Sequence, residues 1–181
     1  MTVFTIGHSN RTAEEFLSLL KEYEIGTVAD IRRFPSSRKN PHFDAKLLEP
    51  LLQENGIEYV WLESLGGRRK SSGRESLNLL LRSTGFRNYA DYMMTQEFRG
   101  AARSLISIIS QQRTALMCAE RLYWKCHRML LSDYLTANGV EVIHILSHEQ
   151  TRRHELTSGA VISSDRCVRY PAATAQEEGP R

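Results

Sequence analysis

A chain of 181 residues, 41% hydrophobic and 25% charged, can bury the core of one ordinary domain and leaves little for a second. Its formal charge of +3 and pI of about 8.8 fall short of the strongly basic character of a protein that coats nucleic acid. Three cysteines, no leader-like apolar segment before the polar interruption in MTVFTIGHSNR, and no apolar run long enough for a bilayer argue against a disulfide framework. They predict a reduced, cytoplasmic protein without a membrane partner.

In chain order, VFTIG (3–7) reads as a short β-branched strand. The helix after it places Phe16, Leu19, Leu20 and Tyr23 at helical spacing and opens with a capping box, Thr12 and Glu15. The unit repeats with a strand at 27–31, a loop, a helix in DAKLLEPLLQEN and a strand at 58–62. The stretch YADYMMTQEFRGAARSLISIIS is too long for one ideal helix and reads as one or two. A strand at 114–119 follows, then a helix from about Cys126 closed by Gly139, and a strand at 140–146. Strands alternating with helices predict a single α/β domain over residues 1–169, with a mostly parallel five-stranded sheet and helices on both faces. The Pro/Ala/Glu-rich tail, 170–181, reads as disordered.

In open parallel sheets ligands bind at the carboxyl ends of the strands, and the unusual residues of this chain fall there. The first strand ends in Gly7-His8, the second in Asp30 and Arg32, with Arg33, Ser36, Arg38 and Asn40 beyond. The third runs into Gly66-Gly67-Arg68, and the fourth ends in Cys118 and Glu120. Cys126 and the His127-Arg128 pair follow eight positions after Cys118. Arginine forks, hydroxyls and glycine-exposed N–H groups are the groups that hold phosphate, and the loop residues Phe34 and Trp124 offer aromatic faces for a base. Trp61, inside a strand, reads as core, as does His144. His148 and His154 sit in a polar stretch and read as solvent-exposed.

The thiols keep several readings open. Cys118 at a strand end also fits a small buried apolar residue. Cys126 at a helix start is placed to ionise. A divalent metal on Cys118, Cys126 and His127, with His8 or Asp30 as a fourth ligand, is a further option, although the spacing is not a recognised ligand motif. A thiol-phosphatase loop does not fit, because Cys118 lies ten positions before Arg128 and such a loop must be short to converge on one anion.

Taken together, TIGHSNR, ADIRRFPSSRKNPHF, LGGRR, GFRNYADYM and LMCAERLYWKCHRMLL followed by VIHIL resemble, in order, the motifs of the domain of unknown function 488 family, over about residues 3–162. The resemblance implies an α/β domain whose shared site is the cysteine and arginine clusters. The chain departs from the family pattern at LLLRSTGFR, where an asparagine and a tryptophan usually precede the arginine.

The expectation that follows is an enzyme taking a phosphate-bearing substrate, a nucleotide or part of a nucleic acid. Arg32, Arg33, Arg38 and Arg128 would hold anionic oxygens, and Ser36, Asn40, Gly66, Gly67, Trp124 and His127 would complete the substrate site. Glu120 would act as general acid or base, Cys118 or Cys126 as nucleophile or ligand, and His8 with Asp30 would assist. The alternative is a noncatalytic module binding nucleic acid or another partner, its cysteines structural or metal-binding.

Overall fold

The structure is a computed structural model, described over residues 1–172. Five parallel strands form its centre: β1 (Thr2–Gly7), β2 (Thr27–Asp30), β3 (Glu58–Trp61), β4 (Thr114–Cys118) and β5 (Glu141–Ser147). These are the five expected from the apolar runs. A sixth, β6 (Gln150–Arg153), adds an antiparallel edge to β5, and the sheet order is β3-β2-β4-β1-β5-β6. The sheet is therefore one strand wider than the sequence reading.

Five helices cover the sheet: α1 (Ala13–Glu22), α2 (Ala45–Glu54), α3 (Thr84–Met93), α4 (Gln96–Gln111) and α5 (Arg128–Ala137). The capping box at α1 forms as expected, Thr12 Oγ1 accepting from Glu15 N–H and the Glu15 carboxylate from Thr12 N–H. Alternation along β4 divides its side chains between two cores. Ala115 and Met117 pack with Phe16, Leu20, Leu48 and Leu52 of α1 and α2. Leu116 and Cys118 pack on the other face with Phe98, Leu105, Leu130 and Leu131 of α4 and α5. Each such leucine or phenylalanine, fully buried, contributes about 1.5–3 kcal/mol of transfer free energy.

The strand order places the site. β4 lies between β2 and β1, yet the helices after β1 and β2 cover one face and the helix after β4 covers the other. A crevice opens at the carboxyl ends of strands whose connections depart in opposite directions. Here those ends are in register: Gly7 pairs with Cys118 and Asp30 with Met117, while His8 N–H donates to Cys118 O (2.9 Å) and Ile31 N–H to Met117 O (3.0 Å).

Beyond β6, a small hairpin of β7 (Val161–Ile162) and β8 (Val168–Arg169) leads to Tyr170. Tyr170 is fully buried and its hydroxyl donates to Asp133 (2.7 Å), so the expected disordered tail does not begin there. Its remaining positions after 172 lie outside the described residues. Asp133 also accepts from Thr157 and from His154 Nε2 (3.0 Å). His154 is thus buried rather than solvent-exposed, while His148 is exposed and pairs with Glu22. With Asp133 as the terminal acceptor, donation runs one way: Arg128 to Thr5 Oγ1, Thr5 to His144 Nδ1, His144 Nε2 to His154 Nδ1, and His154 to Asp133. His144 is the buried histidine the sequence suggests, but Trp61 is not core: β3 is an edge strand and Trp61 is 45% exposed, its indole N–H donating to Arg32 O.

Candidate functional site

A cleft of about 950 Å³ opens over the carboxyl edge of β2, β4 and β1. Its floor is made by Cys118, Cys126 and His127, and one wall by the loop after β2, with Arg33, Phe34, Ser36, Arg38 and Asn40. Gly67 and Arg68 close a second side, the start of α3 a third through Ser83, Gly85, Phe86 and Tyr89, and Glu120 and Lys125 a fourth. A shallower hollow of about 490 Å³ at the opposite edge of the sheet is lined by neither cysteine nor histidine.

The cluster on the floor follows from local geometry. β4 ends at Cys118, so Glu120 lies in the loop beyond it and not on an extended strand. A 3-10 turn over Tyr123–Lys125 brings the chain back, and α5 starts at Arg128 with His127 as its N-cap, two residues later than expected. Nδ1 of His127 lies 3.6 Å from Cys126 Sγ and 3.9 Å from Cys118 Sγ, and the three ligating atoms all fall within 4.8 Å of one another. On the far side of the ring, Nε2 is 3.0 Å from the Ile31 carbonyl oxygen. A carbonyl only accepts, so Nε2 carries a proton, and Nδ1 faces both sulfurs, as a donor to a thiolate when the ring is protonated and as a lone pair when it is neutral.

The two thiols are driven apart electrically. The hydrogen bond it gives to Cys126, burial and the neighbouring Cys126 charge push Cys118 well above the usual thiol range. For Cys126 burial opposes ionisation, but the Cys118 hydrogen bond, His127 and the Arg128 charge outweigh it and hold this thiol well below that range. The Arg128 backbone N–H, 3.5 Å from Cys126 Sγ, adds to the stabilisation. The pair therefore loses its first proton easily and its second with difficulty.

Several predicted residues are present but engaged elsewhere. Arg128 is 1% exposed and lies beneath the cleft, its guanidinium donating to the carbonyls of Glu120 and Arg121 and to Thr5 Oγ1. It fastens the 119–121 loop and does not face a ligand. Arg32 and Asp30 form a buried ion pair, reinforced by Tyr59 O–H donating to Asp30 (2.7 Å) and by Arg32 donating to Phe43 O (2.8 Å). His8 stacks on Phe43, donates from Nδ1 to Ser9 O, and turns Nε2 toward Arg32 (3.4 Å). Burial and the Arg32 charge lower its pKa to about 4. Neither His8 nor Asp30 joins the thiol cluster as a fourth ligand.

Arg33 borders the cleft and pairs with Glu63 at 3.2 Å. Asn40 donates to Ser9 O and ties the basic loop to the end of β1. Gly66 is buried against the Arg33 backbone, where an added Cβ would stand 2.6 Å from Arg33 Cα, and Trp124 is 43% exposed outside the cleft lining. The cations that do face solvent in the cleft are Arg38, Lys39, Arg68 and Lys125; none takes part in an ion pair among the described residues. Phe86 and Tyr89 escaped the sequence reading because helix α3 delivers them from a distant part of the chain, although the segment GFRNYADYM that contains them carries part of the family resemblance. Tyr89 meets the His127 ring edge-on at 5.0 Å and donates to Leu65 O.

The model of one family, described as Domain of unknown function DUF488, matches residues 12–135, more than half of the chain, and spans the basic loop, the glycine pair and the thiol cluster. Neither curated proteins nor solved structures gave a match. No helix among the described residues is long and apolar enough to cross a membrane.

Proposed function

The chain belongs to the DUF488 family, and from its site we propose that it is an enzyme acting on a phosphate-bearing substrate, a nucleotide or a segment of nucleic acid, in the cleft at the carboxyl edge of the sheet. One observation carries the reading: unpaired cations at the cleft mouth stand above a floor that holds a low-pKa thiol, a second thiol and an oriented imidazole. Phosphate is the anion such a mouth suits, since Arg38 and Arg68 offer planar forks and Ser36 and Ser37 offer hydroxyls. Phe34, 62% exposed, lines the same cleft and gives a base a face to stack on.

Glu120 separates the readings. It is exposed at the cleft beside these cations, where a carboxylate weakens anion binding but serves proton transfer. The test is calorimetric binding of a nucleotide panel and single-stranded oligonucleotides, with product analysis. Glu120→Gln is expected to bind at least as tightly as the parent and to lose turnover. Binding of oligonucleotides without turnover by either protein would instead favour the noncatalytic module, for which the exposed Phe34 speaks.

A further inference from the structure

We propose that Cys118 Sγ, Cys126 Sγ and His127 Nδ1 are three ligands of a thiophilic divalent cation of the zinc class, whose fourth position opens into the cleft. The inference deepens the proposed function by naming what occupies the floor of that site, and it rests on that reading only for what fills the fourth position.

The spacing of the donors is the first argument. With Zn–S of about 2.3 Å and Zn–N of about 2.0–2.1 Å, tetrahedral angles set sulfur and nitrogen about 3.6 Å apart, and the two sulfurs about 3.8 Å apart. The two sulfur–nitrogen separations here are 3.6 and 3.9 Å, and all three donors lie within 4.8 Å. A cation between them needs adjustments of tenths of an ångström on the nitrogen side.

Donor chemistry is the second. With Nε2–H on the Ile31 carbonyl, a neutral ring turns its one free lone pair, at Nδ1, to two sulfurs. A metal uses that lone pair and both thiolates at once. The outer bonds are those of a ligated histidine and a ligated thiolate: Nε2–H on the Ile31 carbonyl and the Arg128 N–H on Cys126 Sγ. Gly67 completes the enclosure. A Cβ there would stand 2.8 Å from His127 Nδ1 and 3.1 Å from its Cγ, so only glycine lets the ring lie where it presents Nδ1 to the sulfurs.

The fourth position has no protein ligand among the described residues. Asp30 is taken by Arg32 and Tyr59, and His8 by Ser9 and Arg32. A site with three protein ligands and an open position is of the catalytic rather than the structural kind, and the open side here faces the cleft cations. An oxygen donor fits it: water, or an oxygen of the bound phosphate.

The test uses the full chain, purified under reducing conditions, stripped with a chelator and titrated with Co²⁺, then with Zn²⁺ in competition. One cobalt per chain is expected, with thiolate-to-cobalt charge-transfer absorption and the intense visible bands of tetrahedral coordination. Cys118→Ser and Cys126→Ser should each reduce the charge-transfer band, and His127→Gln should weaken zinc binding by more than the ~10–100-fold that follows loss of an outer hydrogen bond. The parent spectrum decides the matter even if a variant fails to fold. Octahedral cobalt spectra, no uptake, or a Cys118–Cys126 disulfide in place of a metal would overturn the site. Nucleotide binding by protein that takes up no cobalt would remove the metal and leave the proposed function. Tetrahedral cobalt in a protein that binds no nucleotide or oligonucleotide would do the reverse.

Discussion

The Nε2 of His127 lies 3.0 Å from the carbonyl oxygen of Ile31, and this bond joins the start of α5 to the end of β2. Two elements distant in sequence thereby agree on the orientation of one imidazole. The ring cannot rotate to present Nε2 to the thiols without stranding a partly buried carbonyl, a loss of about 1–3 kcal/mol.

Gly67→Ala tests how closely that ring is held. The new Cβ would meet His127 Nδ1 at 2.8 Å, so ring or loop must shift, at a cost of about 1–3 kcal/mol in urea unfolding and with weakened cobalt uptake. Gly85→Ala is the control on the same cleft, since its nearest neighbour is 3.7 Å away and it lies in α3. That change should be neutral or stabilising by up to about 1 kcal/mol. Equal losses for both would show that the ring is loosely held.

Removing either of two cleft arginines should have opposite readouts. Arg32→Ala leaves Asp30 buried without its cation and should cost about 3–5 kcal/mol in stability. Arg38→Ala should change stability by less than about 0.5 kcal/mol while weakening nucleotide binding roughly 10- to 100-fold, the worth of a charge-assisted hydrogen bond. Thermal unfolding and calorimetry on both variants give the answer, and a fully stable Arg32→Ala protein would contradict the ion pair's structural role.

In metal-free protein, one thiol should react with iodoacetamide at a pH below the usual thiol range and the other only well above it. Cys118→Ala removes the hydrogen bond given to Cys126 and should move its alkylation profile to higher pH. Two thiols titrating together in the ordinary range would contradict the coupling.

Acid should destabilise the fold through two buried histidines. Burial and Arg32 hold His8 at about 4, and burial, His154 and Arg128 hold His144 at about 3, against 6.5 in an unfolded chain. Between those values the unfolded state binds more protons, so this stability is complete above pH 6.5 and is lost as pH falls toward 4 and 3. At pH 4.5 each histidine should cost on the order of 2 kcal/mol relative to pH 7.5. Urea midpoints at the two values measure it, and His8→Gln should flatten part of the difference.

The parallel strands were legible because each is a short apolar run, which in β1, β2 and β4 both faces of the sheet bury. β6 was not, since QTRR is exposed throughout, carries no apolar alternation, and pairs only along one edge. The same edge effect explains Trp61, whose β3 has a neighbour on one side only. The thiol cluster could be read from sequence because its three members lie within ten positions. Arg128 could not be ranked among them, because a guanidinium that clasps carbonyls beneath a loop and one that faces a phosphate look alike in a one-dimensional chain. Tyr89 and Phe86 reach the cleft by the docking of α3, a tertiary event with no local signature.

The interposition of β4 has a consequence for how the molecule comes into being. β1 pairs only with β4 and β5, and β2 with β3 and β4. A nascent chain that has emerged as far as residue 112 can therefore join β2 to β3, while β1 waits without a partner. Such non-local closure is slow and keeps strand edges open meanwhile. The strand that finally fills the slot is the one that ends in Cys118, so the cleft over the carboxyl edge takes shape only after β4 has docked between β1 and β2.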